Sequence, residues 1–147
     1  MSAISDAYAA IRTGLRTALW DVSGIPASGY RDMENETFRP VGGTTWVRER
    51  LKFDNTNFHG LGSGAGIPVR YRFTGAYMVD LFFPYKTNTN PSDTLVGAVV
   101  SAFAPGTTLS GGTVPILIES CNSSGGQDGD GWYMRPIMIS WSCDVVQ

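Results

Sequence analysis

Side chains that do chemistry are scarce in this chain. It has one histidine, His59, and two cysteines, Cys121 and Cys143. A zinc site needs several such ligands together, and His59 has no histidine or cysteine near it in the sequence, so no metal is expected. The two cysteines are too far apart for a CxxC site and too few for a disulfide framework, which makes them ordinary reduced thiols. Cys143 falls on the apolar phase of its segment, where a thiol packs rather than reacts. The GxSxG, HExxH and P-loop patterns are missing. A non-enzymatic protein without a cofactor is expected.

Charge is equally sparse. Charged residues make up 16% of the chain, against about 25% in an average protein. The net charge of −2 gives no bulk attraction to nucleic acid or to an acidic membrane. Apolar runs are short: the nearest to a membrane span, Met78 to Pro84, is broken by Asp80, far below the roughly 18 residues a span requires. The first residues, Met1 to Tyr8, lack the basic start and apolar stretch of a signal peptide. These features predict a soluble protein made in a cytoplasm, whose lightly charged surface favours contact with other proteins.

What is present organises 147 residues as a single domain, 1–147. Ser5 to Leu19 reads as an amphipathic helix, because Ile4, Tyr8, Ile11, Leu15 and Leu19 recur at spacings of three or four. Residues 30–43 are polar and mixed and read as a loop. Thr44 to Phe53 alternates, with Val47, Glu49, Leu51 and Phe53 on one face and Trp46, Arg48, Arg50 and Lys52 on the other. Val69 to Phe83 alternates as well, with Tyr71, Phe73, Tyr77, Val79, Leu81 and Phe83 in phase and Arg70 and Arg72 opposite. Asn90-Pro-Ser-Asp93 predicts a helix start with Asn90 as N-cap, running to about Phe103. A third strand is expected over Val114 to Ser120, preceded by a possible short arm at Thr107 to Leu109, and a fourth over Trp132 to Val145. Pro136 in that last strand argues for an edge or a bulge. The order helix, two strands, helix, two strands predicts an α+β fold: a mainly antiparallel sheet of about four strands with two helices on one face.

Gly and Asp in Gln127-Asp-Gly-Asp-Gly131 suit a tight turn better than a calcium loop, which needs a third spaced ligand and a closing Glu. Trp20, Trp46, Trp132 and Trp141 are read as core or interface residues before ligand-stacking platforms.

A long glycine-laced connection, residues 54–68, separates the two alternating runs, and Phe58, His59, Leu61 and Ile67 lie in it. Connections beyond about 12 to 15 residues are either functional or disordered. An interaction loop ordered by a partner is one reading and a surface insertion the other. Antiparallel pairing across the loop would place Arg48, Arg50, Lys52, Arg70 and Arg72 on one face, with the register deciding whether they join in a basic stripe. Such a stripe would meet an acidic partner or passing DNA, or be no more than a solvated outer face.

The helix at the start, the Trp46-Val-Arg48 strand, the glycine loop, Arg70-Tyr-Arg72 opening into Gly75-Ala-Tyr-Met-Val79, the Pro-Ser-Asp93 helix and Gly131-Trp-Tyr133 together resemble tail terminator proteins of tailed bacteriophages. The resemblance is closest to small phage proteins similar to the minor tail protein U of phage lambda, and it spans nearly the whole chain. It implies a structural virion protein that forms a hexameric ring on the tail tube, stops tube polymerisation and offers a docking face to the head connector. Implied partners are copies of itself, the tail tube protein, a connector or stopper, and genomic DNA passing through the lumen without specific binding. The long Asp21 to Gly43 segment and the expanded loop depart from the family pattern and leave another neck component, a stopper or adaptor, as an alternative. A monomeric carbohydrate- or peptide-binding module is the rival from another class. A hydrolase would have to use Glu49, Glu119 or Asp130.

Overall fold

Alternation over long runs builds long strands, and four of them form the body of the structure, a computed structural model that describes residues 3–58, 70–86, 88–110 and 114–146. In chain order the elements are α1 (Ala3–Trp20), a 3-10 turn (Ser28–Tyr30), β1 (Arg31–Asp32), β2 (Trp46–Phe58), β3 (Arg70–Pro84), α2 (Asn90–Ala102), β4 (Thr108–Leu109), β5 (Ile116–Ser123), β6 (Gln127–Gly129) and β7 (Trp132–Val146). They make a seven-stranded sheet ordered β1-β2-β3-β7-β5-β4, with β6 also pairing β7. Four strands was therefore an undercount. The three further strands are two or three residues long, too short to show a period; β4 falls on the short arm expected at Thr107 to Leu109, and β1 makes the sheet mixed by pairing parallel to β2.

Both helices pack on one face. Ala7, Ile11, Leu15 and Leu19 of α1 and Leu95, Val96 and Val99 of α2 bury against Val47, Leu51, Phe73, Tyr77, Val79, Leu81, Ile118, Ile139 and Trp141 of the sheet. Tyr8 of α1 is partly exposed but sets its ring edge-on to Phe53 and Phe73, with centroids 4.7 and 5.3 Å away. The phases expected for β2, β3 and β7 hold throughout.

Gly75 interrupts the β3 alternation for a steric reason. A side chain there would run into the carbonyl oxygen of Lys52 and stand 2.7 Å from Cζ2 of Trp141. Glycine lets the buried indole of Trp141 lie across β3, beside the irregularity that displaces the register of β2 between Phe53 and Asn55.

Glu49 is the exception on the apolar face. It is fully buried and accepts from Arg16 Nε at 2.6 Å and Nη2 at 3.3 Å, from the Glu34 backbone N–H at 3.0 Å and from the Tyr77 hydroxyl at 3.1 Å. Burial by itself would raise the pKa of this carboxyl; the Arg16 guanidinium and the other donors outweigh it and hold it below its ordinary value. Tyr77 moves the other way, raised well above its ordinary value by burial and by the adjacent carboxylate. The cluster ties α1, the segment after β1, β2 and β3 together in one apolar setting.

One boundary needs correction. Asn90 is the first residue of α2 and Thr89 its N-cap, without a side-chain cap bond. The Asn90 N–H goes instead to Asn88 Oδ1 at 2.8 Å, while Ser92 Oγ donates back to the Thr89 carbonyl at 2.8 Å. Pro136 lies at a local interruption of the ladder, where residues 124–126 stand opposite Arg135 and Pro136, the irregular position its missing donor suggested. It pairs with Asp80 on the β3 side, and its carbonyl accepts from Ser124 on the other, between the last pair of β5 and the first of β6. A strand residue points its N and O to the same side, so the missing donor of Pro136 falls where no strand carbonyl requires it.

Gln127 to Gly131 makes the tight turn its composition suggested. Gly129 pairs with Trp132, and Asp130 and Gly131 between them both have positive φ, 50° and 81°, the conformation of a type I′ hairpin.

Candidate functional site

Residues that alternate with the core set face away from the helices and form the outer face of the sheet. Register places Trp46 beside Phe82, Arg48 beside Asp80 and Arg50 beside Met78 on the β2–β3 pair. On the β3–β7 pair it places Asp80 beside Pro136 and Met78 beside Met138. A groove of about 550 Å³ lies over this region, lined by Arg48, Arg50, Met78, Asp80, Asn122, Ser124, Pro136 and Met138, with Ile137 beneath. Its floor is apolar and its β2 wall is ionic. Met138 is 49% exposed, a large flexible apolar side chain of the kind that adapts to a partner.

An aromatic cluster closes one end. Trp46 stacks on Phe82 with centroids 3.8 Å apart and planes 2° from parallel, and Phe38 and Trp132 pack on it at 5.1 and 5.9 Å. The Arg48 guanidinium sits over Phe82 at 5.1 Å. The Trp20 ring carries Arg31 at 4.1 Å, and Trp141 is buried. Three of the four tryptophans thus spend their faces inside the protein.

The arginines share the outer face without forming one stripe. Arg48 and Arg50 follow each other on β2, whereas Arg72 sits opposite Asn57 at the far end. Arg72 and Asp80, the partner of Arg48, are eight positions apart along β3, which is about 26 Å at about 3.3 Å per residue. Three of the arginines also have an anion: Arg48 with Asp80 at 2.9 Å, Arg50 with Asp32 at 3.2 Å and Arg72 with Asp144 at 2.9 Å. Lys52 is 3.6 Å from Asp54.

Of the loop residues singled out in the sequence, Phe58 ends β2, since the strand runs five residues past Phe53. His59, Leu61 and Ile67 lie outside the described residues. Arg70 opens β3. Met78, Pro136 and Met138 fall opposite the core set in the alternating phase, but without charge nothing in the sequence marks them as a surface that binds. Asp32 and Glu34 were hidden in a segment read as loop.

Burial raises the thiol pKa of Cys121 and pushes that of Cys143 up to about 11. Glu119 and Asp130, two of the three acids a hydrolase would have to use, are exposed and on separate elements, and Glu49 is ion-paired in the core. Among the described residues no group of three or more His, Cys, Asp or Glu is placed to hold a metal. No helix among them is long and apolar enough to cross a membrane.

A family model described as phage tail terminator protein matches residues 8–141. The chain belongs to the phage tail terminator protein family, a family of structural phage tail proteins. Fourteen chains of solved structures match it. One of them, 15% identical, superposes with a TM-score of 0.63 over 97% of this chain and 96% of its own length. A likeness at that identity establishes the shared fold. None of the curated proteins matches the chain.

Proposed function

We propose that this protein is the subunit of a hexameric ring that caps the tail tube, stops its polymerisation and presents the docking surface for the head connector. Membership of the terminator family over residues 8–141 is the observation that carries this reading. The chain assembles in the cytoplasm of the bacterial host and ends in the neck of the virion. Genomic DNA passes through the ring without specific binding. The paired state of Arg48, Arg50 and Arg72 supports that part, because cations already matched by carboxylates offer DNA little free charge.

The outer face supplies the contacts. Met138 and Met78 form an apolar floor beside Arg48 and Arg50, a mixture of adaptable apolar surface and arginine that suits a protein interface. Phe58 at the end of β2, with His59, Leu61 and Ile67 of the connection after it and Arg70 and Arg72 of β3, is assigned to contact with the neighbouring tube ring.

The test is co-sedimentation of the purified protein with finished tail tubes. Saturable binding at about one hexamer per tube end supports the cap. Binding along the tube wall, or none, refutes it. Quenching of tryptophan fluorescence by a sugar or peptide in place of tube binding would favour the monomeric binding module. A stopper or adaptor would bind heads or connectors and leave tubes alone.

A further inference from the structure

The sheet is open on both flanks. On one, β1 covers only Val47 and Arg48 of β2. On the other, β4 covers Ile116 and Leu117 of β5, and Thr107 reaches Ile118. Beyond these positions no described strand pairs with either edge.

Along β2, side chains occupy the places a strand would fill. The Leu51 N–H, aimed at the open side, donates to Glu34 Oε1 at 2.9 Å. The Glu49 carbonyl accepts from Arg50 Nη1 at 2.7 Å. Glu34 is held in turn by Arg12 at 3.1 Å, and Arg50 by the Asp32 carbonyl at 3.1 Å and its carboxylate at 3.2 and 3.3 Å. These clamps are partly exposed ion pairs, with Arg12 and Glu34 side chains 29% and 30% accessible, and pairs of that kind are readily exchanged.

Charge separates the flanks. Residues 116–131 carry Glu119, Asp128 and Asp130 and no lysine or arginine, and all three acids are exposed. The β2 strand carries Arg48, Arg50 and Lys52 on its outer face, against Asp54 beside Lys52 and a Glu49 buried on the core face. Pairing β2 with another β2 sets cations together, and pairing β5 with another β5 sets anions together; only the unlike edges match.

Resting on the ring reading, we infer that the open edge of β2 from Glu49 to Phe53 is a strand-addition surface for the β5–β6 flank of a second copy of this chain, and that Asp32 and Glu34 form a displaceable guard that stands in for that acidic flank in the free subunit. Backbone edges are natural sites of strand addition, and natural proteins block them with charged side chains. A contact between opposite edges of the same chain is heterologous, the kind that closes into a ring. Assembly exchanges the carboxylates of Asp32 and Glu34 for those of the neighbour.

Sedimentation velocity over a concentration series tests this with four chains: wild type, Glu34→Ala, Glu34→Gln, and Glu34→Ala combined with Glu119→Gln, Asp128→Asn and Asp130→Asn. The alanine variant should self-associate about tenfold more tightly, the scale of one hydrogen bond to a charged group. The glutamine variant keeps an acceptor for Leu51 and should stay near wild type, and the combined variant should fall back. Wild-type sedimentation by a folded alanine variant overturns the guard, and undiminished association of the combined variant overturns the acidic partner. Should the alanine variant fail to melt cooperatively, carbodiimide cross-linking of wild-type protein on tubes decides, using mixed isotopically labelled copies. Links from Lys52 of one copy to Glu119, Asp128 or Asp130 of another support the contact; intercopy links found only elsewhere refute it. Tube capping with refuted links would leave the ring reading intact and sink this one alone.

Discussion

Replacing Arg16 with leucine should expose how much the core depends on one buried ion pair. Glu49 has no accessible surface and receives four hydrogen bonds, two of them from Arg16. The substitution leaves a buried carboxylate with only the Glu34 amide and the Tyr77 hydroxyl. Stripping one partner from such a pair costs about 3–5 kcal/mol, a large part of the roughly 5–15 kcal/mol that holds a domain folded. At about 2–4 °C per kcal/mol for a chain of this size, the melting temperature should drop by about 10 °C. The pH dependence carries the sharper test. In the wild type the Glu49 pKa is depressed, so its stabilisation is full above the unfolded value of 4.5 and is lost as pH falls through the folded value. Without Arg16 burial dominates and the folded pKa rises, so the penalty is full near neutral pH and relieved by protonation in acid. Urea unfolding followed by tryptophan fluorescence at pH 7 and pH 4 should therefore show the gap between variant and wild type narrowing at pH 4. A gap below about 1 kcal/mol at pH 7, or one equally wide at both pH values, would refute the reasoning.

Three further outcomes are expected. Gly75→Ala forces a methyl group against the Lys52 carbonyl and the Trp141 ring, and should cost about 1–3 kcal/mol in denaturant titration; an unchanged midpoint would mean that the indole can shift freely. Met138→Glu places a charge on an exposed position of the groove floor, so stability should stay within about 0.5 kcal/mol while tube co-sedimentation is lost, and retained binding would remove the groove from the interface. Cys143, with its thiol raised to about 11 by burial, should resist iodoacetamide at pH 8 in the native state and react on unfolding, as followed by mass spectrometry; rapid native alkylation would contradict its packing.

Much of the fold was written in periodicity. Val47, Leu51, Phe73, Tyr77, Ile139 and Trp141 declared their shared face by alternation, and Leu15, Leu19, Leu95 and Val99 declared the helix faces that cover it. Short strands carry no such signal. β1, at Arg31–Asp32, exists because Arg50 and Glu34 fasten that segment to β2, contacts that join residues about 17 positions apart. The end of β2 was placed early because Asp54, Asn55, Thr56 and Asn57 have loop-like composition, yet they stay in the ladder with β3 through Phe58. Register hid the site itself. Sequence alternation put Arg48 and Arg72 on the same face, and only the pairing of Arg48 with Asp80 and Asn57 with Arg72 set them at opposite ends. Their neutralisation was invisible for the same reason, since Asp80 and Asp144 become neighbours only once the strands align.

Tail length in phage lacking this gene tests the central claim most directly. Negative-stain electron microscopy of the lysate should show tails of irregular, excessive length detached from DNA-filled heads, with normal length restored by supplying the protein. Virions with tails of normal length, joined to their heads, would contradict a role in terminating the tube.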